Sequence, residues 1–205
     1  MTTAFQTVID KATTLSFNKR RKVQQTQSRS GVVKTTSAGG QVWEFQVRLP
    51  DGPRYTDYRQ LIEAMEALDT VTVGQIQINN SGHSYISGYQ GDLSSTSGIT
   101  VSYTSGNTLT ITGGATGLSS GNKFEAGDYI QLGSSGSVYT VTSDVAHNSN
   151  TITTHRPILE TAGSYSLIVG PSVTWDVVCV QFPNYTLFGH DQIRWSGPFI
   201  FVEAI

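Results

Sequence analysis

Between Val42 and Leu49 the chain alternates without a break. Trp43, Phe45, Val47 and Leu49 fall on one side, and Glu44, Gln46 and Arg48 on the other. That two-residue period belongs to a strand with one face in a core and the other in water. A face carrying Trp and Phe must be covered, and the residues that follow offer a cover. From Asp57 onward the apolar positions Leu61, Ile62, Met65 and Leu68 recur at helical spacing, and Asp57 with Gln60 has the form of a capping box. The spacing predicts one short amphipathic helix. A strand over 71–78 follows, with Val71 and Val73 in one phase and Ile76 and Ile78 in the other, which points to a bulge at Gly74-Gln75. No other segment reads as a helix, so a mostly β protein with a single helix laid on it is expected.

Composition supports this class. Charged residues make up only 14% of the 205, whereas Gly, Ser and Thr are abundant, as suits short strands joined by turns. A formal net charge of −2 argues against a bulk electrostatic partner, so neither nucleic acid nor a membrane surface is expected. Cys179 is the sole cysteine, which excludes an internal disulfide and a Cys-based zinc site within one subunit and points to a reducing compartment. No stretch approaches the roughly 20 apolar residues of a membrane span, and MTTAFQTVIDKATTLSF has no continuous apolar core of a leader. Synthesis in the cytoplasm as a soluble protein is expected.

The first residues form a cationic arm. Lys19, Arg20, Arg21, Lys22, Arg29 and Lys34 face only one acid, Asp10, and the polar run 24–30 suits an extended segment or edge hairpin. From Ser81 to Ser97 the composition turns to Gly, Ser, Tyr and Asp, which marks a boundary. Short strands are expected at 99–103, 108–112, 129–132, 138–142 and 151–154, separated by Gly-rich turns, as in a small antiparallel barrel or sandwich. Beyond Pro171, Val173, Trp175, Val177 and Cys179 alternate on one face. Val178, Val180 and Phe182 fill the other, so this strand is expected to be covered on both sides. Phe199, Ile200, Phe201 and Val202 repeat that pattern and must dock centrally or meet another subunit. The expected organisation is therefore a β-sandwich module of 1–97 plus 171–205, carrying an inserted β-barrel over 98–170.

Reactive motifs are weak. Gly117-Leu118-Ser119-Ser120-Gly121 matches the nucleophile-elbow pattern, but no helical periodicity follows it, so a plain loop is the better reading. His83, His147, His155 and His190 show no metal-ligand spacing. Asp51, Asp92, Asp128, Asp144 and Asp191 sit beside turns, where carboxylates bind backbone N–H groups; a facing catalytic pair is not indicated. No catalytic, metal or cofactor residue is assigned. Tyr85, Tyr89 and Tyr103, set among Ser and Gly, could form a stacking surface for glycans or a partner. Lys19, Arg20, Arg21, Lys22, Phe199 and Phe201 are the candidates for contact between subunits.

Arg29-Ser30-Gly31-Val32, the strand 41–50, the helix Tyr58–Met65 and the strand Val71–Ile78 together resemble the N-terminal core of phage distal tail proteins. Phe124–Ile130, Val138–Thr142 and Thr151–Leu159 resemble a small β module that recurs in such tail proteins. The resemblance implies a β-sandwich belt with one helix, an inserted β-barrel, and no catalysis and no cofactor. It further implies a homo-oligomer, a hexameric ring, that joins the tail tube to the baseplate or tail tip. The chain would then be a structural virion protein of the baseplate hub, present in the host cytoplasm during assembly. The alternative is a carbohydrate- or receptor-binding module of the same tail.

Overall fold

A computed structural model describes residues 4–19, 23–27, 29, 31, 33–37, 41–80, 82–133 and 137–205. In chain order the elements begin with α1 (Ala4–Asp10), β1 (Thr14–Asn18), β2 (Val23–Gln27), β3 (Val33–Ser37), β4 (Glu44–Arg48), α2 (Tyr55–Glu66), β5 (Val73–Ile76) and α3 (Ser84–Ser87). There follow β6 (Thr100–Tyr103), β7 (Thr108–Gly113), β8 (Asn122–Phe124), β9 (Tyr129–Leu132), β10 (Val138–Thr140), β11 (Val145–Ala146), β12 (Thr151–Thr153) and β13 (Gly163–Val169). The last strands are β14 (Trp175–Gln181), β15 (Tyr185–Phe188), β16 (Gln192–Trp195) and β17 (Phe199–Glu203). The protein is mostly β with antiparallel sheets, as its alternation predicts.

Two compact units emerge: Met1–Gly74 with Val177–Ala204, and Gln75–Asp176 together with Ile205. Residues 75–97 and 171–176, assigned to the sandwich module from sequence, thus fall in the second unit. Side-chain bonds explain why they stay with the second unit. Ser87 donates its hydroxyl to the Ile78 carbonyl, Gln77 donates to Thr174 Oγ1 at 2.9 Å, and Gln131 both donates to the Thr174 carbonyl and accepts its N–H.

The first unit is built on a sheet of order β1-β4-β17-β14-β5. Register places Phe17 opposite Phe45, Phe45 opposite Phe201 and Phe201 opposite Cys179, one apolar row running across four strands. Trp43, Phe45 and Val47 are all fully buried, so the alternation seen in sequence is the core face of this sheet. Phe5 of α1 meets the Phe201 ring at 5.2 Å, and Phe199 meets Trp195 at 5.4 Å. Tyr58, Leu61, Ile62 and Met65 form the buried stripe of α2.

Several expectations are corrected here. The capping box does not form: α2 begins at Tyr55, two residues before Asp57, after an extended Arg54, with no side-chain cap. The Tyr55 N–H instead donates to the Asp191 carbonyl at 2.7 Å, and the Thr56 hydroxyl to Asp191 Oδ2, so the tip of the β15–β16 hairpin satisfies the helix start. Leu68 lies past the helix end and is half-exposed. A helix also forms where an extended arm was expected, because Phe5, Val8 and Ile9 sit at i, i+3 and i+4 and all bury. The β2–β3 hairpin does form beyond it. β14 is covered on one side only, with Val180 48% exposed.

In the second unit the sheet order is β10-β9-β13-β6-β7-β12. Its middle strand, β13, was not anticipated: GSYSLIV mixes small polar residues with a short apolar end and has no long alternation to betray it. The residues following β10 and β12, at the two ends of that order, meet in a bridge, Val141 opposite Thr154. Ile99, Val101, Leu109, Phe124, Ile130 and Ile152 are among the fully buried residues of its core.

Gly74 is demanded by packing and not by its backbone angle. A Cβ there would stand 2.3 Å from Phe5 Cδ2 and 2.7 Å from Cε2. Gly74→Ala should therefore cost about 1–3 kcal/mol by overpacking, and Phe5→Ala about 3–5 kcal/mol by leaving a cavity. The two losses should be less than additive in the double variant, because each relieves the other's defect; urea denaturation of the four proteins measures this.

Candidate functional site

Several of the carboxylates are tied to backbone groups. Asp128, fully buried, accepts the Gln90 N–H at Oδ1 (2.8 Å) and the Glu125 N–H at Oδ2 (2.9 Å). Burial pushes its carboxyl up, against the N–H bonds that pull it down. Asp92 accepts the Asn122 N–H, Asp144 the Ala126 N–H and Asp51 the Trp195 N–H. Glu160 receives the Ser137 N–H at one oxygen and the Tyr139 hydroxyl at the other, 2.5 Å away. Each carboxylate thus fastens a turn or strand end. Among the described residues, no group of three His, Cys, Asp or Glu side chains is placed to hold a metal ion.

Ser119 lies exposed in a loop that feeds β8, a strand, so it lacks the helix that a nucleophile elbow requires. The three tyrosines do not form one platform. Tyr85 is 76% exposed on α3. Tyr89 packs edge-on against Phe124, donates to the Lys123 carbonyl and accepts the Leu93 N–H. Tyr103 packs on the second unit's core and donates to the Ile158 carbonyl at 3.4 Å. The hydroxyls of Tyr89 and Tyr103 are engaged inside the unit, and both side chains are half-buried.

The subunit-contact candidates divide in the same way. Phe199 and Phe201 are 1% and 0% exposed, since β17 lies in the interior of its sheet and both rings point into the core. They serve this chain's own packing and cannot reach another. Lys19 is half-buried with its ammonium 5.2 Å above the Trp43 ring, and burial lowers its pKa. Arg20, Arg21 and Lys22 lie outside the described residues.

A different set of apolar side chains is exposed. Phe17 ends the apolar row at the sheet's edge strand, 38% exposed, and Val180, Leu187 and Phe188 are 48%, 55% and 40% exposed. Leu187 and Phe188 stand on the β15–β16 hairpin, whose tip residues His190 and Asp191 adopt left-handed angles of 65° and 61°. A signal was present in the sequence: Tyr185–Phe188 and Gln192–Trp195 are aromatic-rich runs on either side of Gly-His-Asp, the form of a hairpin.

No protein-family model matches the chain, and no curated protein matches it.

Cys179 lines a hollow with Met65, Leu68 and Phe182 and donates its thiol to the Gln181 carbonyl at 3.4 Å. Burial pushes this thiol up to about 11. At pH 8 the thiolate is then about a thousandth of the population. Ellman's reagent should label the native protein slowly at pH 8 and the urea-unfolded protein within seconds to minutes. The native rate should keep rising with pH well past 9.

Proposed function

We propose that this chain is a non-enzymatic structural subunit of a phage tail, one that self-associates into a ring at the tail tip or baseplate hub. The observation that carries the reading is a set of exposed apolar side chains on the first unit: Phe17 on the edge strand, and Val180, Leu187 and Phe188. Scattered exposed apolar residues are ordinary on a soluble protein, but an edge strand with an exposed aromatic is a surface that invites pairing. The likeness of 29–78 to distal tail proteins supplies the assembly. In that reading the first unit is a β-sandwich belt, the second an inserted β-barrel, the ring a hexamer, and the neighbours the tail tube and other tip proteins. The carboxylates, committed to backbone N–H groups, suit a scaffold for contacts.

Sedimentation velocity and negative-stain images of the purified chain test this. A ring is expected at micromolar concentration. The paired change Leu187→Asp and Phe188→Asp should shift it to monomer, while thermal stability stays within a few degrees because both side chains are already exposed. A wild-type chain that remains monomeric would overturn the reading.

The carbohydrate- or receptor-binding alternative rests first on Tyr85, the most exposed of the three tyrosines. Binding of the full chain on a glycan array, lost in Tyr85→Ala, would favour it.

A further inference from the structure

We propose that His155 is a pH-sensitive latch on the seam where the two ends of the second unit's six-stranded sheet meet. The inference stands independently of the tail-tip reading. Along β10, alternate backbone groups point to alternate sides. Val141 donates its N–H to the Asp128 carbonyl, on the β9 side. Thr140, one residue earlier, must therefore direct its N–H and C=O away from β9, toward the segment after β12. There the Thr140 N–H donates to His155 Nδ1 at 3.1 Å, and the His155 N–H returns to the Thr140 carbonyl at 3.1 Å. Together with the Thr142 N–H donating to the Thr153 carbonyl at 2.9 Å, these bonds bracket the Val141–Thr154 bridge.

Nδ1 can accept that N–H only while it carries no proton, so the seam selects the neutral imidazole protonated at Nε2. A second proton would turn the acceptor into a donor facing another donor, and would strip Thr140, 1% exposed, of this acceptor. The described neighbours are tyrosines, an arginine and carboxylates that are already engaged. The Tyr139 ring lies 6.2 Å from that of His155, and Tyr129 sits opposite Thr140 on β9. The Arg156 guanidinium lies 5.1 Å from the Tyr139 ring. Both oxygens of Glu160 already serve Ser137 and Tyr139, and those of Asp128 serve Gln90 and Glu125. The His155 side chain is half-exposed but its Nε2 is buried, so a second proton reaches the ring only as the seam opens. Acidification through the histidine range therefore opens this seam locally, uncovering Val141 and Ile152 beneath it.

The test is amide hydrogen exchange at Thr140 in the full chain, corrected for the intrinsic pH dependence, with His155 followed by NMR in the same samples. Below about pH 6.5, the ordinary histidine value, Thr140 protection should fall about tenfold per pH unit, as one coupled proton requires. His155→Asn places Oδ1 where Nδ1 stands and does not titrate, so protection should persist and the slope should vanish. Above pH 7 the wild-type ring should be the Nε2–H tautomer. An unchanged slope in His155→Asn would overturn the latch, as would an imidazole that titrates without affecting Thr140, or an Nδ1–H tautomer at neutral pH. The last two readings need only the wild-type protein and decide the matter even if the variant fails to fold.

Discussion

The pairing of β4 with β17 is the interaction on which the first unit depends. Phe45 stands opposite Phe201 and Val47 opposite Phe199, and the Glu203 N–H reaches the Trp43 carbonyl at 2.9 Å, so residues more than 150 positions apart share one core row. Closing so long a loop is costly in entropy, and the loss is offset only when apolar surface is buried on arrival. The aromatic residues supply it. Phe5, Phe199, Phe201 and Trp195 lie in ring contact with one another or in chain, and α1 is held to the sheet by the same Phe201 ring that completes the row. Gly74 belongs to this arrangement because its missing side chain is what lets the Phe5 ring approach.

The second unit relies on a different device. Its strands are short, several of three or four residues, and short strands leave many backbone groups at their ends. Asp92, Asp128, Asp144, Glu160 and Gln131 satisfy those groups one by one. Four of the chain's 15 acidic residues thus act as internal staples in this unit. A carboxylate fastened to amides holds its turn in shape. The seam at His155 is the same device with an imidazole in place of a carboxylate, and an imidazole changes its charge closer to neutral pH.

How much was legible in the sequence followed the length of the pattern. Val42–Leu49 and the stripe of α2 were readable because several consecutive turns of one period fell in a row. The turn-side roles of the aspartates were readable because Asp beside Gly or Ser has few other habits. The start of α2 was not, since its partner, Asp191, lies more than 130 residues away and no local motif announces it. β13 was missed because its neighbours β6 and β9, and not its own alternation, make it a strand. The tyrosines illustrate the same limit at the candidate surface. Composition grouped Tyr85, Tyr89 and Tyr103, but the packing of Phe124 and the reach of the Lys123 and Ile158 carbonyls separated them.

The sequence by itself determined a mostly β protein, one strongly amphipathic strand and helix, and a set of carboxylates destined for turns, because these follow from periods and side-chain habits that act over a few residues. Only the tertiary structure decided which apolar residues are spent inside and which remain for contact. Phe199 and Phe17 read alike as aromatic strand residues. β17 lies between two strands and β1 ends the sheet, so the first ring is sealed in the core and the second is left half-exposed at the edge. That difference is one of strand order, a long-range property that no local pattern carries.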